Sequence, residues 1–261
     1  MKGALTTTAW RKIADYYFLD TNIHNEMING STIFTQTEFL PSLLENPHFN
    51  NSYKYTILVG NSDLGLLPTG YHSTALGFSV HNRKVDLTKL LRHNVFLCNN
   101  ILGVITKSLP LGILDKMVGP IGVLRQVSVP KKDQIYISYF NRANNPNRGR
   151  LVDQYINKYN GMVYVEKERL SYKVYLTKLN NYKYSLCLPG NGWDTYRIWE
   201  SLYLGVMPIC VPGVAMKGLQ SSGFPIFFDL EPNINSEELM NQKILFLPGV
   251  NKWIKSNSRL T

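Results

Sequence analysis

The amino-acid sequence predicts an α/β protein of two Rossmann-like domains facing each other across a cleft. Three observations carry that expectation. The chain has 261 residues, more than one small domain needs and enough for two of ordinary size. Apolar residues make up 44% and charged residues 18%, which supplies material for buried sheets and carries no signature of disorder. In the second half, short β-rich runs and helical segments alternate regularly, as they do in a doubly wound sheet.

In chain order, 10–18 (WRKIADYYF) reads as an amphipathic helix, and 31–39 as a strand entering a helix over 40–45. The run 55–59 (YTILV) is β-rich and is stopped by Gly60 and the polar loop NSD. That suits a buried parallel strand whose C-terminal end delivers side chains to a cleft. The runs 95–98 and 104–111 read as further parallel strands. Between Gly112 and Pro130 glycines and prolines recur without long periodicity, so the domains are placed at 1–125 and 126–261. Beyond the boundary, 134–139 (QIYISY) reads as a strand, and Asn145-Pro146 opens a helix that runs through 151–158. A strand at 162–165, a helix at 171–179 and a strand at 184–188 follow. A helix at 195–204, strands at 207–211 and 225–228, and a helix at 236–247 complete the series.

The formal net charge of +10 implies an anionic partner, and charge alone fits a nucleotide diphosphate, a nucleic acid or an acidic membrane surface equally well. The three cysteines, Cys98, Cys187 and Cys210, lie in or beside apolar runs without C-x-x-C spacing. They read as reduced, buried thiols in a cytosol-like compartment, not as a zinc site or a disulfide scaffold. The opening MKGALTTTAWRK lacks the apolar core of a signal peptide, and no stretch approaches the roughly 18 apolar residues of a membrane span. A soluble, cytoplasmic protein is expected.

The segment that carries chemistry is 184–212, YSLCLPGNGWDTYRIWESLYLGVMPICVP. A strand ends at a Gly-rich turn and a helix begins at once. The turn, Gly190, Asn191 and Gly192, allows close backbone approach, and the helix start presents unpaired N–H groups to an anion. With Asp194 or Thr195 as the cap, Arg197 falls in the first turn, where its fork of donors can grip a diphosphate. Glu200 lies one helical step along the same face, where its carboxylate can accept hydrogen bonds from two ribose hydroxyls. Trp193 and Tyr196 are candidate stacking contacts to base or sugar. Taken separately, Arg197 and Glu200 could be a surface i,i+3 pair and PGNG an ordinary loop; their order along the chain favours a site.

This stretch closely resembles the donor-site signature of exostosin-like glycosyltransferases, written loosely as PxGxGxDxxRxWEALxxGxIPV. The resemblance extends upstream to VFLCNN, VITKSLPLGI and QIYISYFNRANNPNRGRLV, strongly over 131–212 and loosely before that. It implies the GT-B architecture and an inverting transfer from a UDP-sugar to a hydroxyl of an oligosaccharide or glycoprotein acceptor, with no obligatory metal and no other cofactor. Eukaryotic members of the family usually carry an N-terminal membrane anchor, and this chain looks more like compact viral or microbial relatives. Among those, xylosyltransferases of large DNA viruses come nearest, which implies UDP-xylose as donor and the host cytoplasm as location.

No Asp-x-Asp pair ends a strand, so positive groups are expected to neutralise the leaving diphosphate: Arg197, helped by Lys217 or by the basic segment holding Arg142, Arg148 and Arg150. For those three arginines a solvated loop is the other reading. An inverting transfer also needs a base. Asp63, directly after the 55–59 strand, is the first candidate, with an Asx-turn role as its alternative. His72, in the Gly-rich GYHSTALG segment, is the second; His24, His48, His81 and His93 read as surface or capping residues. Two other functions fit some of these features. A noncatalytic nucleotide- or glycan-binding protein would keep the Arg197 and Glu200 pocket, and a single-strand nucleic-acid groove could use the tyrosines and lysines of 172–184.

Overall fold

The first half of the chain forms its core by alternation. In chain order it contributes β1 (Tyr16–Phe18), β2 (Thr32–Thr35), α1 (Leu40–Leu44), β3 (Thr56–Val59), β4 (Leu64–Leu67), β5 (Gly70–Ser73), β6 (Phe78–His81), α2 (Leu87–Leu90), β7 (Asn94–Leu97), β8 (Lys107–Ser108) and α3 (Val118–Leu124). These come from a computed structural model that describes residues 1–6, 8–19, 25–60, 64–67, 70–73, 78–81, 85–98, 106–140 and 147–258. Five strands make one parallel sheet in the order β1-β2-β3-β7-β8. Its register sets Ile33, Ile57 and Val95 side by side, and Phe34, Leu58 and Phe96 one residue on. Successive side chains leave opposite faces of a strand, so the first row packs with Leu40, Leu43 and Leu90 and the second joins the core of the C-terminal half. Both faces are covered, which is why these strands read as unbroken apolar runs.

The second half contributes β9 (Lys132–Ile137), α4 (Asn147–Lys158), β10 (Val163–Val165), α5 (Tyr172–Asn180), β11 (Tyr182–Cys187), α6 (Tyr196–Tyr203), β12 (Met207–Cys210), α7 (Val214–Ser221), α8 (Ser236–Met240) and α9 (Leu247–Ser258). Its parallel sheet runs β10-β9-β11-β12. From β9 the chain goes to one side, to β10, then crosses back to β11 on the other. The order therefore reverses between β9 and β11, the point at which open α/β sheets place a crevice. The protein is thus α/β, with two parallel sheets of Rossmann-like character.

Several segments depart from the sequence expectation. The helix expected over 10–18 is a 3₁₀ turn at Ala9–Lys12 followed by β1. Asp15 ends it: its backbone N–H donates to Thr32 O and its carboxylate accepts from Thr32 N, which starts the pairing of β1 with β2. The first residues of the GYHSTALG segment form β5, the middle strand of an antiparallel sheet β4-β5-β6, with His72 opposite Gly65 and Ser79; 74–77 lie outside the described residues. Only Lys107–Ser108 of the expected strand over 104–111 pairs among the described residues. The 225–228 segment reaches β12 through a single bridge, Ile209 to Phe227, because the chain already turns at Ile226, whose N–H donates to Phe224 O. The helix expected over 236–247 is the shorter α8, and α9 was not foreseen. It carries Trp253 against Phe96 of the first sheet, with ring centroids 5.3 Å apart. His93, expected at the surface, is buried against Phe49 and Tyr55, and burial holds its pKa down to about 4. Cys98, Cys187 and Cys210 are buried, as expected. Among the described residues no helix is long and apolar enough to cross a membrane.

Candidate donor site

The C-terminal ends of the second sheet open onto a cavity of about 950 Å³. Strand β9 runs into Ser138 and Tyr139, β10 into Glu166, and β11 into the turn at Gly190, Asn191 and Gly192; all of these line it. The cavity thus occupies the point where the strand order reverses. The starts of α5 and α6 supply Tyr172, Tyr175, Thr195, Tyr196, Arg197 and Glu200, and the first half of the chain supplies Leu111, Leu114, Lys116 and Met117.

Two guanidinium groups line the cavity. Arg148, on α4, is 5% exposed and donates from Nε to Pro189 O at 2.7 Å. A Cβ on Gly190 would stand 3.1 Å from its Nη2, so the glycine makes room for this side chain. Burial, reinforced by the positive charge of Arg197, lowers the Arg148 pKa to about 10, which still leaves it charged at neutral pH. Arg197 sits in the first turn of α6 and donates from Nη2 to Tyr139 O at 3.0 Å. The turn is closed by a 2.9 Å bond from Gly190 N to Gly192 O.

Glu200 is no surface residue. It is 3% exposed, and its two carboxylate oxygens accept from the phenols of Tyr172 and, at 2.9 Å, Tyr175, both on α5. Burial raises its pKa, while the two phenols and Arg197 pull it back down. Asp194 is engaged as fully. At 1% exposure its Oδ2 accepts from Leu111 N and its Oδ1 from Trp199 Nε1, each at 2.7 Å, and burial pushes its pKa up to about 7 against these two bonds. Asp194 therefore fastens the first-half wall to α6, a different role from the ligand contact expected of it. Neither Asp194 nor Thr195 caps α6 through its side chain. Thr195 occupies the N-cap position, and its Oγ1 is buried without a hydrogen-bond partner among the described residues.

Of the other expected site residues, Gly190, Asn191, Gly192 and Tyr196 lie in the cavity wall. Trp193 packs over Gly213 instead, where an added Cβ would meet its ring at 2.9 Å, and it is not part of the wall. Lys217 is exposed on α7 and Arg150 on α4, and neither lines the cavity; of the expected basic helpers among the described residues, Arg148 does. Arg142 and Asp63 lie outside the described residues, and for His72 only the backbone is described. Among the described residues no three His, Cys, Asp or Glu side chains are grouped to hold a metal ion.

The sequence reading missed Tyr136, Glu166, Tyr172 and Tyr175. A signal was present for two of them: Tyr172 and Tyr175 stand three apart on α5, which brings both side chains to one place. The tyrosines suspected of forming a nucleic-acid groove turn inward. Tyr172 and Tyr175 hold Glu200, Tyr182 stacks on Tyr136 at 5.0 Å, and Tyr184 is buried. No protein-family model matches the chain, and no curated protein sequence does so.

Proposed function

We propose that this chain is an inverting glycosyltransferase of GT-B architecture, similar to the exostosin-like enzymes, that moves a sugar from a UDP-sugar to a hydroxyl of an oligosaccharide or glycoprotein. What supports this function above all is one juxtaposition: a cavity at the sheet's reversal point with Arg148 beside its glycine turn, Arg197 in the first turn of α6 and the buried Glu200 carboxylate one helical step along that helix. The diphosphate would lie against the arginines and the α6 N-terminus, and the ribose hydroxyls would donate to Glu200. In the transfer, the acceptor oxygen bonds to the anomeric carbon as the bond from that carbon to the diphosphate oxygen breaks. The acceptor proton passes to a base, for which Asp63 is the candidate and His72 the second, and UDP leaves with its new charge held by the arginines. UDP-xylose is the proposed donor, positive side chains take the part a metal plays elsewhere, and the cytoplasm is the proposed location.

Thermal stability measured against a panel of nucleotides and UDP-sugars, with and without EDTA, tests this, because a ligand that binds the native state raises its stability by mass action. Stabilisation confined to UDP compounds, insensitive to EDTA and lost in Arg197→Ala and Glu200→Ala, is expected. Stabilisation by no nucleotide would remove the donor site. Tight UDP binding without transfer to any acceptor would leave a noncatalytic binding protein.

A further inference from the structure

We infer that the hydroxyl of Tyr136 is a binding group for the nucleoside half of the ligand, a role that rests on the donor site proposed above. Tyr136 lies on β9 and is 0% exposed, yet it forms part of the cavity wall. Its ring belongs to a cluster with Tyr182 at 5.0 Å and Tyr164 at 6.0 Å. Its Oη has no hydrogen-bond partner among the described residues. The large majority of buried side-chain polar groups in folded proteins are paired, and an unpaired hydroxyl is costly to bury. A ligand atom in the cavity would satisfy this one.

The position of the ring says which end of the ligand that atom belongs to. Tyr136 is 6.4 Å from the ring of Tyr175, and Tyr175 grips Glu200 Oε2. The ring of Tyr136 therefore neighbours the tyrosine that holds Glu200, whereas Arg148 lies beside Gly190. Burial first, and then the nearby Glu166 carboxylate, raises the phenol's pKa, so it keeps its proton at every physiological pH. It can thus donate to a carbonyl or ring oxygen of a nucleoside. Inorganic pyrophosphate carries no carbonyl or ring oxygen.

The test compares Tyr136→Phe with wild type in two ways. In the free protein the hydroxyl has nothing to lose, so the variant's Tm should equal or exceed that of wild type. With UDP, calorimetric titration should give a Kd raised about tenfold, the worth of one good hydrogen bond. Binding of inorganic pyrophosphate should be the same in both proteins. An unchanged Kd for UDP, a lowered Tm in the free variant, or pyrophosphate binding weakened as much as UDP binding would each overturn the assignment while leaving the donor site intact. Failure of wild type to bind UDP or any other nucleotide would remove the donor site, and the role of Tyr136 with it.

Discussion

Replacing Asp194 by asparagine should give a loss of stability that shrinks as pH rises. The carboxyl is buried, it receives Leu111 N and Trp199 Nε1 at 2.7 Å each, and its pKa is pushed from 3.8 to about 7. An asparagine can offer its one oxygen to only one of those donors and turns an N–H toward the other, which costs about 1–3 kcal/mol relative to the protonated carboxyl. The carboxyl adds a pH-dependent part. Between its unfolded and folded pKa values the native state binds the extra proton, so wild-type stability from this group is full below about pH 4 and is lost as pH rises to about 7. The slope is about 1.4 kcal/mol per pH unit, or about 4 kcal/mol over the whole interval. The amide of the variant does not titrate and has no such slope. Urea unfolding of both proteins from pH 4 to pH 8 should therefore show the variant less stable near pH 4, by about 1–3 kcal/mol, and the difference should fall by several kcal/mol and reverse in sign toward pH 8, where the amide escapes the burial penalty of the charge; other titrating groups cancel in the subtraction. A difference constant with pH would refute the reasoning, since it would mean that the carboxylate is ionised in the fold without penalty.

Three further outcomes follow from the same geometry. Arg148→Ala and Arg197→Ala should each weaken UDP binding by about tenfold or more, and Lys217→Ala should leave it unchanged, as read by calorimetry. Tyr172→Phe and Tyr175→Phe should each cost about 1–3 kcal/mol in urea unfolding, because each removes a hydrogen bond to the buried Glu200 carboxylate. Both should also raise the pKa of Glu200, so the lower pH limit of UDP binding should move upward in a titration of affinity against pH. Gly190→Ala should lower UDP affinity with little effect on Tm, because its Cβ would stand 3.1 Å from Arg148 Nη2 and displace the guanidinium from the turn.

What could be read from the sequence was what local order encodes. The strand, glycine turn and helix of 184–204 are contiguous, so the site's cationic end and Glu200 were visible, and β3, β7 and the alternation after β9 followed from apolar runs. What stayed hidden depends on partners distant in sequence. The 10–18 segment has a helical period, but pairing of Tyr16 with Ile33 and of Phe18 with Thr35 overrides it. The hairpin strands β4 to β6 lie in a Gly-rich stretch without strong alternation. Arg148 could not be told from Arg150 by composition, since only the approach of α4 to Pro189 buries the first and leaves the second in solvent. The tyrosines of α5 looked like surface aromatics until α6 placed a carboxylate opposite them.

The first-half wall of the cavity is fixed by the same kind of distant contact. Ile113 N donates to Leu5 O at 3.0 Å, and Leu5 N donates to Tyr203 Oη at 2.7 Å, at the far end of α6. Gly112 has φ +78, and a Cβ there would meet Leu5 O at 2.7 Å, so the close approach of these two segments requires glycine. Leu111 N meets Asp194 just before α6 begins. Helix α6 is thus tied at both ends to the segment that carries Leu111, Leu114, Lys116 and Met117. Because Arg197 and Glu200 ride on that helix, the spacing between the cationic turn and the opposing wall is set before any ligand enters, and binding need not spend free energy to organise it.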